Sequence, residues 1–205
     1  MNKAVKNIAI FASGNGSNFE AIARQVKKGK IKANLALLVC DNPGAKVLGK
    51  AKRFGVKIAL IKRGDYPDKD VFEAEIIRRL EENKVDLIVL AGFMRILGLK
   101  FIRRYKNKII NIHPALLPSF KGAHGIKDAF DYGVKLTGIT VHFVDEKIDH
   151  GPIILQESSP IKDKDTVRSL EDRIHKIEHR LYPEAIRLFT EGKLKLEGRR
   201  AIIIP

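Results

Sequence analysis

The sequence predicts an α/β protein: a mostly parallel twisted sheet with helices on both faces, followed by an antiparallel C-terminal addition. Three observations predict it. Short, uniformly apolar runs such as "NIAIFA", "ANLALLVC" and "VDLIVLAGF" recur along the chain. Segments with an apolar residue every three or four positions separate them, and after residue 121 the runs give way to alternating ones. Uniformly apolar strands belong in a parallel sheet covered on both faces, whereas alternation belongs to a sheet with one solvated face.

"NIAIFA" is the first strand, and a Gly-rich turn leads into the helical pattern "NFEAIARQVKKG", which stops at Gly29. "ANLALLVC" is the second strand, "GAKVLGKAKRFG" a helix ending at Gly55, and "VKIALI" the third strand. "DKDVFEAEIIRRLEENK" reads as a long amphipathic helix, before the buried strands "VDLIVLAGF" and "KIINIH". "KLTGITVHFVDE" and "GPIILQESSP" form a hairpin, and "TVRSLEDRIHKIEHRLYPEAIRLFTEG" a long closing helix that Pro183 is expected to kink or restart. "KLKLEGRRAIIIP" is a small terminal hairpin.

A chain of 205 residues, 44% of them hydrophobic, suits one core and one domain over 1–205, with an N-terminal half to about 105 and a C-terminal half from about 106. The start lacks a signal-peptide pattern and nowhere do 18 apolar residues run together, so a cytoplasmic protein without membrane contact is expected. Cys40, the single cysteine, sits in an apolar run and reads as a core residue. A net charge of +15 raises nucleic acid or anionic small molecules as partners. The basic residues are interleaved with acids, and with no Trp and 7% aromatics there is little to stack on bases, which argues against nucleic acid.

Four segments carry candidate chemistry, most of them where a strand runs out, which is where open α/β sheets bind ligands. In "SGNGSNF", residues 13–19, glycines permit close backbone approach, and Ser17 and Asn18 can cap a helix whose N–H groups favour a phosphate. As a dinucleotide fingerprint it fails at the third glycine, where Phe19 stands, although Asp41 ends the second strand. "AGFMRIL", residues 91–97, could wall a flat heteroaromatic pocket or simply pack. In "IINIHPALLPSF", residues 109–120, Asn111 and His113 are two apart and so face the same way, with Pro114 and Pro118 stiffening the chain beyond. In "DEKIDHGPIILQ", residues 145–156, Asp149 is either a turn residue or a carboxylate folded over His113, holding that imidazole protonated. No His/Cys cluster suggests a metal.

Taken in order, "IAIFASGNGSN", "VLAGFMRIL", "NIHPALLPSFKG", "TGITVHFVDEKIDHGPIILQ" and "IEHRLYP" resemble the phosphoribosylglycinamide formyltransferases, the folate-dependent GAR transformylases of purine synthesis. The resemblance spans nearly the whole chain. It implies the formyltransferase fold, Rossmann-like in its N-terminal half, and transfer of a formyl group from the co-substrate 10-formyltetrahydrofolate to the amine of glycinamide ribonucleotide, without a metal. Small-molecule substrates, no nucleic-acid partner and a monomer or homodimer are the corresponding expectations.

Residue by residue, the resemblance matches Gly16, Ser17 and Asn18 to the phosphate loop, and Met94, Arg95, Ile96 and Leu97 to the pterin pocket. Asn111, His113 and Asp149 match the catalytic trio, with Asn111 also near the folate, and Pro114 and Glu178 match ribonucleotide contacts. Lys69 stands where some members carry an Arg reaching toward the folate; His175 and "KGAHGIKDAF" also depart from the common pattern. The trio would place two donors, Asn111 and His113, on the oxygen of a tetrahedral intermediate, an arrangement in which one donor is typically worth about 3 kcal/mol. Two rivals stand beside this reading. A formyltetrahydrofolate deformylase would use the same trio on water, and a nucleotide- or RNA-binding module would use the loop and basic surface without chemistry.

Overall fold

The computed structural model describes residues 5–205. Its contacts divide the chain into two compact units, Met1–Ile110 and Asn111–Pro205.

In the first unit β1 (Lys6–Phe11) lies between β2 (Ala33–Cys40) and β4 (Leu87–Leu90), and β3 (Ile58–Leu60) flanks β2. All these pairings are parallel, with Ile8 opposite both Leu35 and Leu87. Parallel neighbours need crossovers, supplied by α1 (Ser17–Lys27), α2 (Val47–Arg53) and α3 (Lys69–Glu82). Ile8, Ala9, Ile10 and Phe11 are fully buried, as a strand covered on both faces requires. Burying one such Ile or Phe side chain stabilises the fold by about 1.5–3 kcal/mol. Asp68 caps α3 by accepting the Val71 N–H at 2.8 Å. Cys40 is buried in this core. A short helix that the sequence reading did not single out, α4 (Leu99–Arg104), precedes β5 (Ile109–His113), which starts in this unit and ends in the next.

In the second unit β6 (Leu136–Phe143) and β7 (Ile153–Pro160) form the expected antiparallel hairpin. The terminal hairpin is β8 (Leu194–Glu197) and β9 (Arg200–Ile203), and β9 joins β7 in parallel at Ile153 and Arg200. The helices are α5 (Gly125–Tyr132), also not singled out, and α6 (Val167–Thr190). The helix does not restart at Pro183: α6 runs as one helix through it. Leu170, Ile174, Leu181, Tyr182, Ala185 and Ile186 bury one face of α6, and that packing continues on both sides of the missing N–H.

Some of the cations are engaged within their own helices. Arg78 pairs with Glu75 and Glu82, and Arg187 with Glu184 and Glu191, at helical spacing. No helix among the described residues is long and apolar enough to cross a membrane.

Candidate active site

In the first unit the turn after β1 is shaped by Gly16, not by a side-chain cap. Gly16 is the residue before α1, with a left-handed backbone (φ 70°), and no side chain caps the helix. This corrects the expectation that Ser17 and Asn18 cap it; they are its first two residues. A Cβ at Gly16 would stand 2.5 Å from Cγ2 of Val47, so both conformation and space demand glycine. The turn is fastened to α2 by the Val47 N–H, which donates to the Gly14 carbonyl at 3.1 Å. Lys50 Nζ reaches the Gly16 carbonyl at 3.4 Å and Glu20 at 3.0 Å. Sequence reading passed over Lys50, because only the crossover brings α2 back to this turn. Arg24 and Lys50 hold the Glu20 carboxyl down at about 2.

The segment after β4 is tied to the ends of β1 and β2. Ser13 donates its hydroxyl to Asp41 Oδ1 at 2.6 Å and accepts the Met94 N–H at 3.0 Å. Arg95 Nε donates to Asp41 Oδ2 at 2.7 Å, so its guanidinium is engaged by a carboxylate whose side chain is only 4% exposed. Met94 and Ile96 stand out in solvent at 76% and 68% exposure, whereas Leu97 is buried. Isolated exposed apolar side chains are ordinary on a protein surface. Lys69 begins α3 and lies 3.9 Å from Glu73, half exposed.

In the second unit β5 presents Asn111 half-buried and His113 almost fully buried, with Ile112 turned away between them. His113 Nε2 lies 2.7 Å from the Phe120 carbonyl, and Nδ1 is 3.4 Å from Asp149 Oδ2. Both ring nitrogens thus face acceptors, an arrangement satisfied by N–H groups on both. Asp149 Oδ2 also accepts the Gly122 N–H at 2.9 Å, and Oδ1 lies 3.7 Å from Nε2 of His142. Burial pushes the Asp149 carboxyl up, but the neighbouring His142, the Gly122 N–H and the nearby His113 imidazole outweigh it and hold it below the ordinary range. Asp149 is therefore no free turn residue. Its backbone is left-handed (φ 45°), a conformation Asp tolerates better than most residues.

His142 was missed. Its side chain is 2% exposed, within a strand buried along almost its whole length, so in sequence it reads as core. Nδ1 is 2.8 Å from the Phe143 carbonyl, which calls for a proton there, and Nε2 is 3.3 Å from Asn111 Nδ2. A neutral ring then accepts from Asn111 at Nε2; a second proton there would turn instead toward Asp149. The one available signal was a polar residue in "GITVHFV", whose meaning depends on the irregular register between Val141 and His142.

The chain after His113 is fixed chiefly by side chains from the hairpin. Thr140 donates to the Ala115 carbonyl at 2.7 Å and accepts the Leu117 N–H at 3.1 Å, while Gln156 Nε2 reaches the Leu117 carbonyl at 3.1 Å. Pro114 follows in this pinned segment, half-buried. Glu178 on α6 is 5% exposed and bonded to His175 Nδ1 at 3.0 Å, which holds the His175 imidazole above its ordinary value despite burial. Among the described residues no group of His, Cys, Asp and Glu is placed to hold a metal ion.

Residues 6–186 match the family model described as formyl transferase. The chain belongs to the formyl transferase family. Within that family it is 49% identical to phosphoribosylglycinamide formyltransferase of Bacillus subtilis, over 89% of this chain and 94% of the relative. It is 43% identical to the trifunctional purine biosynthetic protein adenosine-3 of Gallus gallus, over 92% of this chain but only 19% of that longer protein. The crystal structure of glycinamide ribonucleotide transformylase 1 from Symbiobacterium toebii superposes with a TM-score of 0.95 at 42% identity, covering 98% of this chain and 95% of that one. A formyltetrahydrofolate deformylase from Pseudomonas syringae shares the fold at 24% identity, with a TM-score of 0.91 over 98% of this chain and 66% of its own.

Proposed function

We propose that this formyl transferase moves the formyl group of 10-formyltetrahydrofolate to the primary amine of glycinamide ribonucleotide. The observation that carries the reading is the buried cluster of Asn111, His113 and Asp149, organised by His142, in a chain so similar to the Bacillus subtilis enzyme. The amine nitrogen attacks the formyl carbon, the carbonyl oxygen becomes an oxyanion, and the intermediate collapses with loss of N10. The amine nitrogen surrenders a proton and N10 gains one.

Asn111 has one N–H of Nδ2 directed to His142; the other is available to the oxyanion. His113 supplies a second donor by exchanging Nε2–H from the Phe120 carbonyl to the oxygen, while Asp149 stabilises the positive ring through Nδ1. Such preorganised donors act where charge develops and need little rearrangement during the step. A carboxyl held below its ordinary range is ionised at neutral pH, so Asp149 acts first through its charge. It can also pass the amine proton to N10 through water. The turn of Gly16, Ser17 and Asn18 receives the ribonucleotide phosphate at the N-terminus of α1, and Pro114 and Glu178 contact the remainder of that substrate. Met94, Arg95, Ile96 and Leu97 take the pterin, and Lys69 the distal part of the folate. Asp41, by engaging the Arg95 guanidinium, leaves mainly the backbone of that segment for recognition.

Loss of the formyl group from 10-formyltetrahydrofolate, followed by absorbance with and without glycinamide ribonucleotide, tests the reading. Turnover should require the amine. Equal turnover without it would replace this reading with a deformylase.

A further inference from the structure

The terminal hairpin touches the Asp149 loop in a way the reaction described above does not use. β8 and β9 are joined by the two residues Gly198 and Arg199, and Gly198 takes the positive φ of 58° that tight hairpins favour. Because Arg200 stands in register with Ile153, the turn is delivered beside the segment entering β7. Arg199 Nη2 donates to the His150 carbonyl at 2.8 Å, and Nη1 lies 2.8 Å from His150 Nε2. The other ring nitrogen, Nδ1, is 2.7 Å from Asp145 Oδ2. A proton on Nδ1 and a lone pair on Nε2 satisfy both contacts, so guanidinium, imidazole and carboxylate form one chain of hydrogen bonds.

That chain closes the loop on itself. Asp145 lies at the loop's entry, where its Oδ1 accepts the Lys147 N–H at 3.0 Å, and His150 lies at its exit. The next residue is fixed as well, since a Cβ on Gly151 would stand 1.9 Å from the Phe143 carbonyl oxygen. Between the two sits Asp149 in its left-handed conformation, at φ 45°.

We propose that Arg199 and His150 are positioning residues: their contact with Asp145 clasps the 145–150 loop and holds the Asp149 carboxylate on Gly122, His113 and His142. The inference rests on the reading of Asp149 as part of the catalytic cluster. The clasp lies on the surface and touches no reacting atom, so its effect passes through Asp149.

The test is a cycle of Arg199→Ala and Asp149→Asn, with kcat and both KM values measured, and with amide exchange at Gly122 followed by NMR. Losing two hydrogen bonds that restrain the loop should lower kcat about three- to tenfold with little change in either KM. Gly122 exchange should quicken, because its acceptor is no longer held. In the Asp149→Asn background Arg199→Ala should cost nothing further, since the group it positions has gone. His150→Ala should reproduce the pattern, and Arg199→Lys, which keeps one donor, should restore part of kcat. Unchanged kcat and unchanged Gly122 exchange would overturn the clasp, as would an equal fractional loss in both backgrounds. If Asp149→Asn alone leaves kcat intact, the catalytic reading fails, and Gly122 exchange still shows separately whether the clasp restrains the loop.

Discussion

The turn at Gly16 and the cluster around Asp149 are built in opposite ways. The turn is made by backbone: a left-handed glycine, carbonyls fastened to α2, and no side chain capping the helix. The cluster is made by side chains: His113, His142 and Asp149 are each at most 10% exposed, and the Asp149 carboxylate lies within 4 Å of both imidazoles. A backbone cradle holds an anion that is already charged when it binds, and it favours ground state and transition state alike. A buried side-chain network acts where charge appears during the reaction. Damage to the first should therefore be read in KM or in stability, and damage to the second in kcat.

The largest expected effect breaks the cluster. Asp149→Asn should lower kcat by about a hundredfold or more if the carboxylate takes part in charge stabilisation and proton transfer. Its pH signature sharpens the comparison. A carboxyl held below its ordinary range keeps its charge as pH falls and loses it only on passing the lowered value, and its contribution to stability is lost over that same descent. The acid limb of the rate profile should accordingly lie below the ordinary carboxylate range and vanish in Asp149→Asn; an unchanged limb would assign it to another group.

Next comes the turn's geometry. Gly16→Ala must both hold a strained φ and push Val47 aside, so unfolding in urea should show a loss of about 1–3 kcal/mol. An unchanged midpoint would mean that the turn is freer than its contacts suggest. Ser17→Ala with Asn18→Ala should raise the ribonucleotide KM by about a hundredfold through two lost hydrogen bonds to an anion, with the folate KM little changed. Equal effects on both substrates would remove the phosphate assignment.

The smallest effect concerns α6. Glu178→Gln should lower the His175 pKa, because the carboxylate that raises it has lost its charge. The ion pair's stabilisation is complete below the ordinary histidine value and fades as pH rises through the raised one, so the variant's stability deficit should shrink in alkali. A His175 titration by NMR that does not move would leave Glu178 without electrostatic influence there.

Much of the fold was legible because its strands are uniformly apolar and its long helices periodic. The second strand, 33–40, coincides with "ANLALLVC", and the period of two placed Asn111 and His113 on one face of β5. The short helices α4 and α5 were not singled out, because six and eight residues give too few turns for a pattern to stand out. Ser17 misled because a hydroxyl at a helix start normally caps it, yet the close approach of Val47 requires glycine at the capping position. Pro183 does not restart α6, because tertiary packing carries the helix past a local breaker. In the site, His142, the Phe120 carbonyl and the Gly122 N–H were invisible for one reason: each acts through a contact set by tertiary folding rather than by spacing.

Carrying a 13C label on the formyl group of 10-formyltetrahydrofolate and following it by NMR tests most directly whether this cluster transfers formyl to an amine. With glycinamide ribonucleotide present the label should appear as a formamide on the ribonucleotide, in equal amount to the tetrahydrofolate released, and Asp149→Asn should slow its appearance. Label accumulating as free formate, or reaching the ribonucleotide equally fast in Asp149→Asn, would contradict the account.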